Sequence, residues 1–418
     1  MILGTKSFLR IEIRGGRYAL MLFVILILLA GCMPRGAVTN PGWTVVAASG
    51  KVVYAVLTTG RVIALDAEDG GKELWSYPRI EEKKGGFLAG CSPTTSSSTE
   101  KALDAVYGIP ALTENLVVVA SYDHNLYAFD RSDGSKVGDA FAADGAIIGG
   151  VAIRDGIAYF GSSDYKVYAI DIATRKLVWE KPYATDGWVW GTPAVDEKRV
   201  YVGSMDHYVY AINRQTGELD WKAPPKEYVP KGAIPGSVTL ADGVLLVGGV
   251  DKHLHALRAE DGEPFWPEPV SLGHWVWGEA LVHDGYVYIG SLDGKVYALK
   301  LADGKVKDGW PVEVREKKDG RSVKKEAIRA GPALLDGETL IVGTEIVGTE
   351  IVGKAGNVYK INIKTKEKAV LFEAEGAVLS TPAVVGNKVY VGTTAGNIYV
   401  WDASSNSAKR LYPSEQKK

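Results

Sequence analysis

Six histidines are the side chains of this sequence best suited to hold a metal or move a proton: His124, His207, His253, His255, His274 and His283. Only His253 and His255 are spaced to share one face of a strand, where alternate side chains point the same way. Zinc sites take at least three protein ligands, so two imidazoles are too few and no metal site is expected. Asp123, Asp164, Asp206, Asp251 and Asp293 recur in register and put five carboxylates on one rim. A calcium ring is one reading of them, but no single loop carries the spacing of a calcium loop. Asp commonly caps a hairpin turn through its own backbone, and turn capping is the preferred reading. No Ser-His-Asp arrangement, glycine-rich phosphate loop or paired-carboxylate motif stands out, so no catalytic residue is assigned.

Two tryptophan pairs are the other conspicuous groups. Trp188-Val-Trp190-Gly191 and Trp275-Val-Trp277-Gly278 lie 87 residues apart. With His207, His253 and His274 they make a candidate interaction surface, because exposed aromatic rings concentrate at binding hot spots. The competing account, which the sequence favours, is that these rings fill space between sheets near a central axis.

The elements that position these residues come from an internal repeat. The residue after an Ala-x pair, or its equivalent, falls at 66, 130, 171, 213, 258, 300, 362 and 402, giving steps of 64, 41, 42, 45, 42, 62 and 40. Within a unit such as 188–224, short runs of Val, Ile and Tyr alternate with Asp, Gly and Asn turns, the pattern of an antiparallel meander. Asp155-Gly156, Asp242-Gly243, Asp284-Gly285 and Asp336-Gly337 are strong hairpin signals. The period predicts an all-β, eight-bladed β-propeller of four-stranded antiparallel blades. The blades are expected at 43–78, 106–142, 147–182, 188–224, 233–269, 275–311, 328–374 and 377–413. The two long steps then hold insertions at 79–105 and 312–327. A tandem Ile341–Glu345 and Ile346–Glu350 adds five residues to the seventh unit, and either copy could be the strand. An odd insertion needs a bulge or loop.

The chain opens like an export signal. Lys6, Arg10, Arg14 and Arg17 precede a 12-residue apolar run, Ala19 to Ala30, which suits a signal-peptide core and is short for a membrane span. Leu29-Ala30-Gly31-Cys32 resembles a bacterial lipobox, which implies cleavage before Cys32 and lipidation of that residue. Two or more acyl chains would hold the protein on a membrane. The domain reading is therefore a lipoprotein signal peptide at 1–31, a lipidated tether at 32–42, the propeller at 43–413 and a tail at 414–418. Loss of residues 1–31 removes those four cations and Glu12, shifting the formal charge from −2 to −5. A mildly acidic, mixed surface gives no reason to expect nucleic-acid binding. With Cys32 lipidated, Cys91 is the one thiol left and no internal disulfide can form.

The repeat resembles that of the pyrroloquinoline-quinone (PQQ) type propellers, Ala-x-Asp-x-x-x-Gly-x-x-x-Trp. Ala211, Asn213, Gly217 and Trp221 follow it, and so do Ala169, Asp171 and Trp179, with Arg175 in the glycine place. Trp266 closes a third copy, and Trp75 and Trp310 close copies with one and two extra residues. The resemblance implies that these five tryptophans dock between neighbouring blades. Two branches of the family are relevant. The quinoprotein dehydrogenases carry a vicinal cysteine pair against the quinone and are far longer; this chain has no Cys-Cys, so no cofactor is expected. The barrel-assembly lipoproteins of the BamB type are non-catalytic scaffolds, and the lipobox, length and eight units favour them. That branch implies a BamA-type protein partner, the outer membrane as location, no enzymatic activity and a monomeric propeller. In a single-membrane bacterium, an extracellular ligand-binding or sensor propeller is the better expectation.

Overall fold

The computed structural model describes residues 42–79, 100–223, 232–314, 317–318, 321–322, 325–347 and 355–413. The expected signal peptide, nearly all of the expected tether with Cys32, Cys91 and the expected tail lie outside them. The described residues form strands and turns in eight four-stranded antiparallel blades, with no helix. Blade four is representative: Ala194–Val195, Arg199–Gly203, Val209–Asn213 and Leu219–Ala223 pair in simple succession. Its two middle strands are buried on both faces, because each blade is covered by a neighbour on either side. That is why Val, Ile and Tyr fill both registers of those strands instead of alternating with polar residues.

The Asp-Gly hairpins have positive φ at both residues, for example 50° at Asp242 and 74° at Gly243. Such turns match the right-handed twist of the strands they join, and Asp and Gly adopt them at low cost.

Eight apolar cores among the described residues each straddle one junction between adjacent blades. Tryptophans help seal five of them. The indole Nε1 of Trp75 donates to the Arg131 carbonyl at 2.9 Å, Trp179 to Arg214 at 2.9 Å, Trp221 to Ala259 at 3.2 Å and Trp266 to Leu301 at 2.7 Å. Each acceptor belongs to the following blade. Trp310 is buried against blade seven without such a bond. Each of the first four rings lies on a turn glycine of that next blade: Gly134, Gly217, Gly262 or Gly304. At Gly217 φ is +75° and an added Cβ would sit 2.6 Å from Trp179, so both conformation and space demand glycine. Blade two has no such tryptophan, and the corresponding turn of blade three carries Arg175, whose guanidinium reaches back to the Val137 carbonyl at 2.8 Å.

The outer strand extends past three of the expected blade limits. In blades three, five and six the outermost pairing continues to Tyr183–Ala184, Val270–Ser271 and Val312–Glu313. The chain leaves the sheet after its last turn, lets the tryptophan swing onto the next blade, and then returns. Val312–Glu313 thus belongs to blade six and not to the 312–327 insertion. The first tandem copy supplies the second strand of blade seven, Thr339–Gly343. The second copy opens in a strand, Glu345–Val347, that pairs with Lys325–Ala327 outside the blade. Residues 348–354, and most of the 79–105 insertion, lie outside the described residues.

Blades one and eight close the ring. Val46, Ile63 and Leu65 pack with Tyr390, Val400 and Leu411. The Thr44 amide donates to the Thr393 carbonyl at 3.3 Å, and the Arg61 guanidinium to the Tyr412 hydroxyl at 3.2 Å. Both blades draw all four strands from their own stretch of chain, so closure is by packing, without strand exchange.

Candidate functional site

The turns between the second and third strands build one rim. Asp123 Oδ1 accepts the Asn125 amide at 3.1 Å and Oδ2 accepts the Tyr127 hydroxyl at 2.8 Å. Asp164 with Tyr168 at 2.5 Å and Asp293 with Tyr297 at 2.7 Å repeat the arrangement, as does Asp206 with Tyr210. In blade five the tyrosine is replaced by His255, whose Nε2 lies 2.9 Å from Asp251 with both side chains buried. Burial pushes the Asp251 carboxyl up, but the His255 hydrogen bond and charge and the His253 amide outweigh it, leaving the group below the usual carboxylate range. Burial first, then the carboxylate partner, pushes the Tyr127, Tyr168, Tyr210 and Tyr297 hydroxyls up. These aspartates are engaged in turn geometry. Among the described residues no group of three or more His, Cys, Asp or Glu is placed to hold a metal ion.

The residue after each turn aspartate is left-handed. Blade six has Gly294 there, at φ +81°. Blades two to five instead carry His124, Tyr165, His207 and Lys252, at φ 75°, 69°, 79° and 71°. A non-glycine residue in this region costs about 1–2 kcal/mol, so four successive blades hold large polar or aromatic groups on the rim against backbone preference. Tyr165 is 46% exposed.

From Tyr165 an aromatic run leads inward. Its ring stacks on Trp188 at 6.3 Å, and Trp188 stacks on Trp190 at 5.2 Å with 7° between planes. The approach to the first strand and the rim turn of blade four touch directly, the Met205 amide donating to the Trp188 carbonyl at 2.8 Å. Trp190 is buried and lines a cavity of about 350 Å³ at the axis, bounded by the inner strands of successive blades. Trp43, Tyr107, Trp277, Glu279 and Arg329 also line it. Arg329 Nε lies 2.8 Å from the buried Glu345, and its guanidinium carbon 5.8 Å from the Trp277 ring centre. Glu279 is exposed to this cavity, and desolvation by the surrounding ring of blades raises its carboxyl above the ordinary value.

Comparison with known proteins identifies the repeat. A sequence model described as outer membrane protein assembly factor BamB matches residues 35–184 and 139–274. The chain belongs to the BamB family. Among solved structures, this BamB-family chain is similar to BamB from Moraxella catarrhalis, with 16% identity, a TM-score of 0.61, and 85% of this chain and 95% of that one covered. It is equally similar to the computationally designed Ika8 protein, at 16% identity, TM-score 0.64, and 87% and 96% coverage. At such identity these likenesses show the fold alone. No curated protein matches the chain.

The sequence-predicted surface residues of this BamB-family propeller divide between rim and axis. Trp188 and Trp275 are half-buried, and Trp190 and Trp277 line the axial cavity. His274 packs edge-on to Trp275 at 5.7 Å, and its pKa is lowered by burial and by Lys325 and Lys252. His207 projects from the blade-four turn. His253 instead stays on its own blade, its Nδ1 2.8 Å from the Asp251 carbonyl and its ring 6.2 Å from His255. Sequence reasoning missed Tyr165, Trp43, Tyr107, Glu279 and Arg329. Two of them left a signal in the repeat. Glu279 follows the inner-strand glycine where other units place Thr192 or Ser237, and Tyr165 stands where blade six has glycine.

Proposed function

We propose that this protein is a non-catalytic scaffold, held outside the cytoplasm by lipid on Cys32, that works beside a BamA-type protein in outer-membrane β-barrel assembly. Membership of the BamB family supports the scaffold reading. The observation that carries a protein-contact role is the rim of blades two to five, where His124, Tyr165, His207 and Lys252 occupy left-handed positions. Groups retained against backbone preference point to selection for what they touch. Tyr165 and Trp188 together offer an exposed aromatic patch of the kind that anchors interfaces.

The test is affinity capture from detergent-solubilised envelope with the full-length protein and a Tyr165→Ala, Trp188→Ala variant. Recovery of a barrel-assembly protein by the parent, and its loss in the variant, supports the proposal. Capture that is absent in the parent, or unchanged in the variant, overturns it. For the anchor, mass spectrometry of the mature start should find an acylated Cys32, and Cys32→Ala should leave the protein unprocessed. A native, unmodified start would remove the lipid half of the proposal.

A further inference from the structure

The axial cavity carries a feature that scaffolding does not use. Glu279 opens into it, and among the described residues no hydrogen bond or ion pair engages its carboxylate. The other charged group on the wall, Arg329, is already neutralised by Glu345 at 2.8 Å and stacked over Trp277. The cavity therefore holds one carboxyl group with no partner of opposite charge. Among the small and apolar residues of the remaining wall stand aromatic rings: Trp43 and Tyr107 meet edge to face at 4.7 Å, and Trp190 is fixed by its stack on Trp188. Aromatic faces attract cations through the negative face of the ring, most strongly where water is excluded. A volume of about 350 Å³ admits a small molecule.

We propose that the axial cavity binds a small quaternary ammonium ion, with Glu279 as its counter-charge and Trp43, Tyr107 and Trp190 as aromatic parts of its wall. The chemistry narrows the class. A divalent metal would need several oxygen ligands, and the described residues supply no cluster of three acidic or histidine groups. A compact, strongly hydrated ammonium such as that of lysine needs three acceptors to replace its water. A quaternary ammonium, with no N–H, needs none, and its diffuse charge suits ring faces and a single carboxylate. The ion also accounts for Glu279 itself, whose ionised form burial alone disfavours and a bound cation would restore. This inference does not depend on the barrel-assembly role, because its test reads a small ligand at Glu279 and the test of that role reads capture of a protein.

The probe is choline, titrated calorimetrically into the purified mature protein, with its neutral carbon analogue 3,3-dimethylbutanol and with methylammonium as comparators. Saturation-transfer NMR on the choline methyls provides a second reading. Choline should bind, and both comparators should bind at least about tenfold more weakly, a difference of roughly 1.4 kcal/mol. Glu279→Gln, which keeps the side-chain shape, should cost choline about the same factor while melting cooperatively at or above the parent's temperature. Binding should release protons and weaken on acidification, since the cation requires the ionised carboxylate. Absence of choline binding at about 20 mM overturns the proposal, because that corresponds to less than 3 kcal/mol of affinity. So does equal binding of the neutral analogue, or a Glu279→Gln variant that binds as the parent does.

Discussion

Replacing Tyr165 and His207 together by glycine should separate a functional rim from a structural one. Both residues are left-handed, at φ 69° and 79°. Releasing each from that region gains about 1–2 kcal/mol. Ordering a glycine in its place costs about 0.5–1 kcal/mol, and the lost stack of Tyr165 on Trp188 costs about 0.5–1.5 kcal/mol. Taken at mid-range, the terms for the two positions sum to about 0.5 kcal/mol in favour of the variant. At roughly 2 cal/mol/K per residue, a propeller of this size shifts its melting temperature by only about 1 °C per kcal/mol. The double variant should therefore melt at or slightly above the parent, while envelope capture of the partner is abolished. Differential scanning calorimetry and affinity capture on the same preparation check the two halves. A melting temperature lowered by several degrees would show that the rim side chains hold the turns together, and unchanged capture would show that the strain serves no contact. Either result refutes the argument.

Other consequences of the packing can be measured directly. Trp179→Ala should destabilise by about 3–5 kcal/mol, because it empties a buried ring site and orphans the Arg214 carbonyl. Gly217→Ala should cost at least about 1–2 kcal/mol by forcing a Cβ into that indole at positive φ. Since the two sites touch, the double variant should cost clearly less than the sum of the singles in chemical denaturation. His255→Phe should cost about 1–3 kcal/mol at neutral pH by stranding the buried Asp251 carboxylate. His255→Tyr rebuilds the pairing used in neighbouring blades, and urea titration should find it milder. Because Asp251 lies below its unfolded pKa, the stability this pair contributes is present above that unfolded value and fades as pH falls through the folded one. Glu279 has the opposite sign. Its raised folded pKa means stability falls as pH rises from the unfolded value through the folded one. Glu279→Gln should therefore raise the melting temperature at pH 7 and lose that advantage near pH 4, and an equal shift at both would contradict the assignment.

The architecture was legible because it is written eight times. A Val/Tyr/Ile strand recurs in every unit at steps of 40–45 residues apart from two insertions, and an Asp-Gly hairpin marks four of the units, so each copy corroborates the others. Blade limits were legible except where the outer strand breaks, as before Tyr183, Val270 and Val312, since nothing in a two-residue strand separates it from a loop. The tandem Ile-Val-Gly-Thr-Glu could not be resolved in advance, because both copies have equal strand character and only the pairing of Glu345–Val347 with Lys325–Ala327 distinguishes them. The tryptophan pairs were visible, but their division between rim and axis was not: Trp188 and Trp190 are two residues apart and so share a face, while the depth of each along the strand depends on neighbouring blades. Glu279 was overlooked because a lone carboxylate is unremarkable in sequence. Its environment is assembled from Trp43 to Arg329, far apart along the chain.

A ring closed without strand exchange has a consequence for its own synthesis. Until the eighth blade has been made, Val46, Ile63 and Leu65 on the first blade have no cover, and every partial product carries a second uncovered flank on its newest blade. The growing polypeptide thus displays two sticky ends that match those of any other unfinished copy. Kept apart, each molecule hides them by meeting itself; crowded together, unfinished molecules would join end to end.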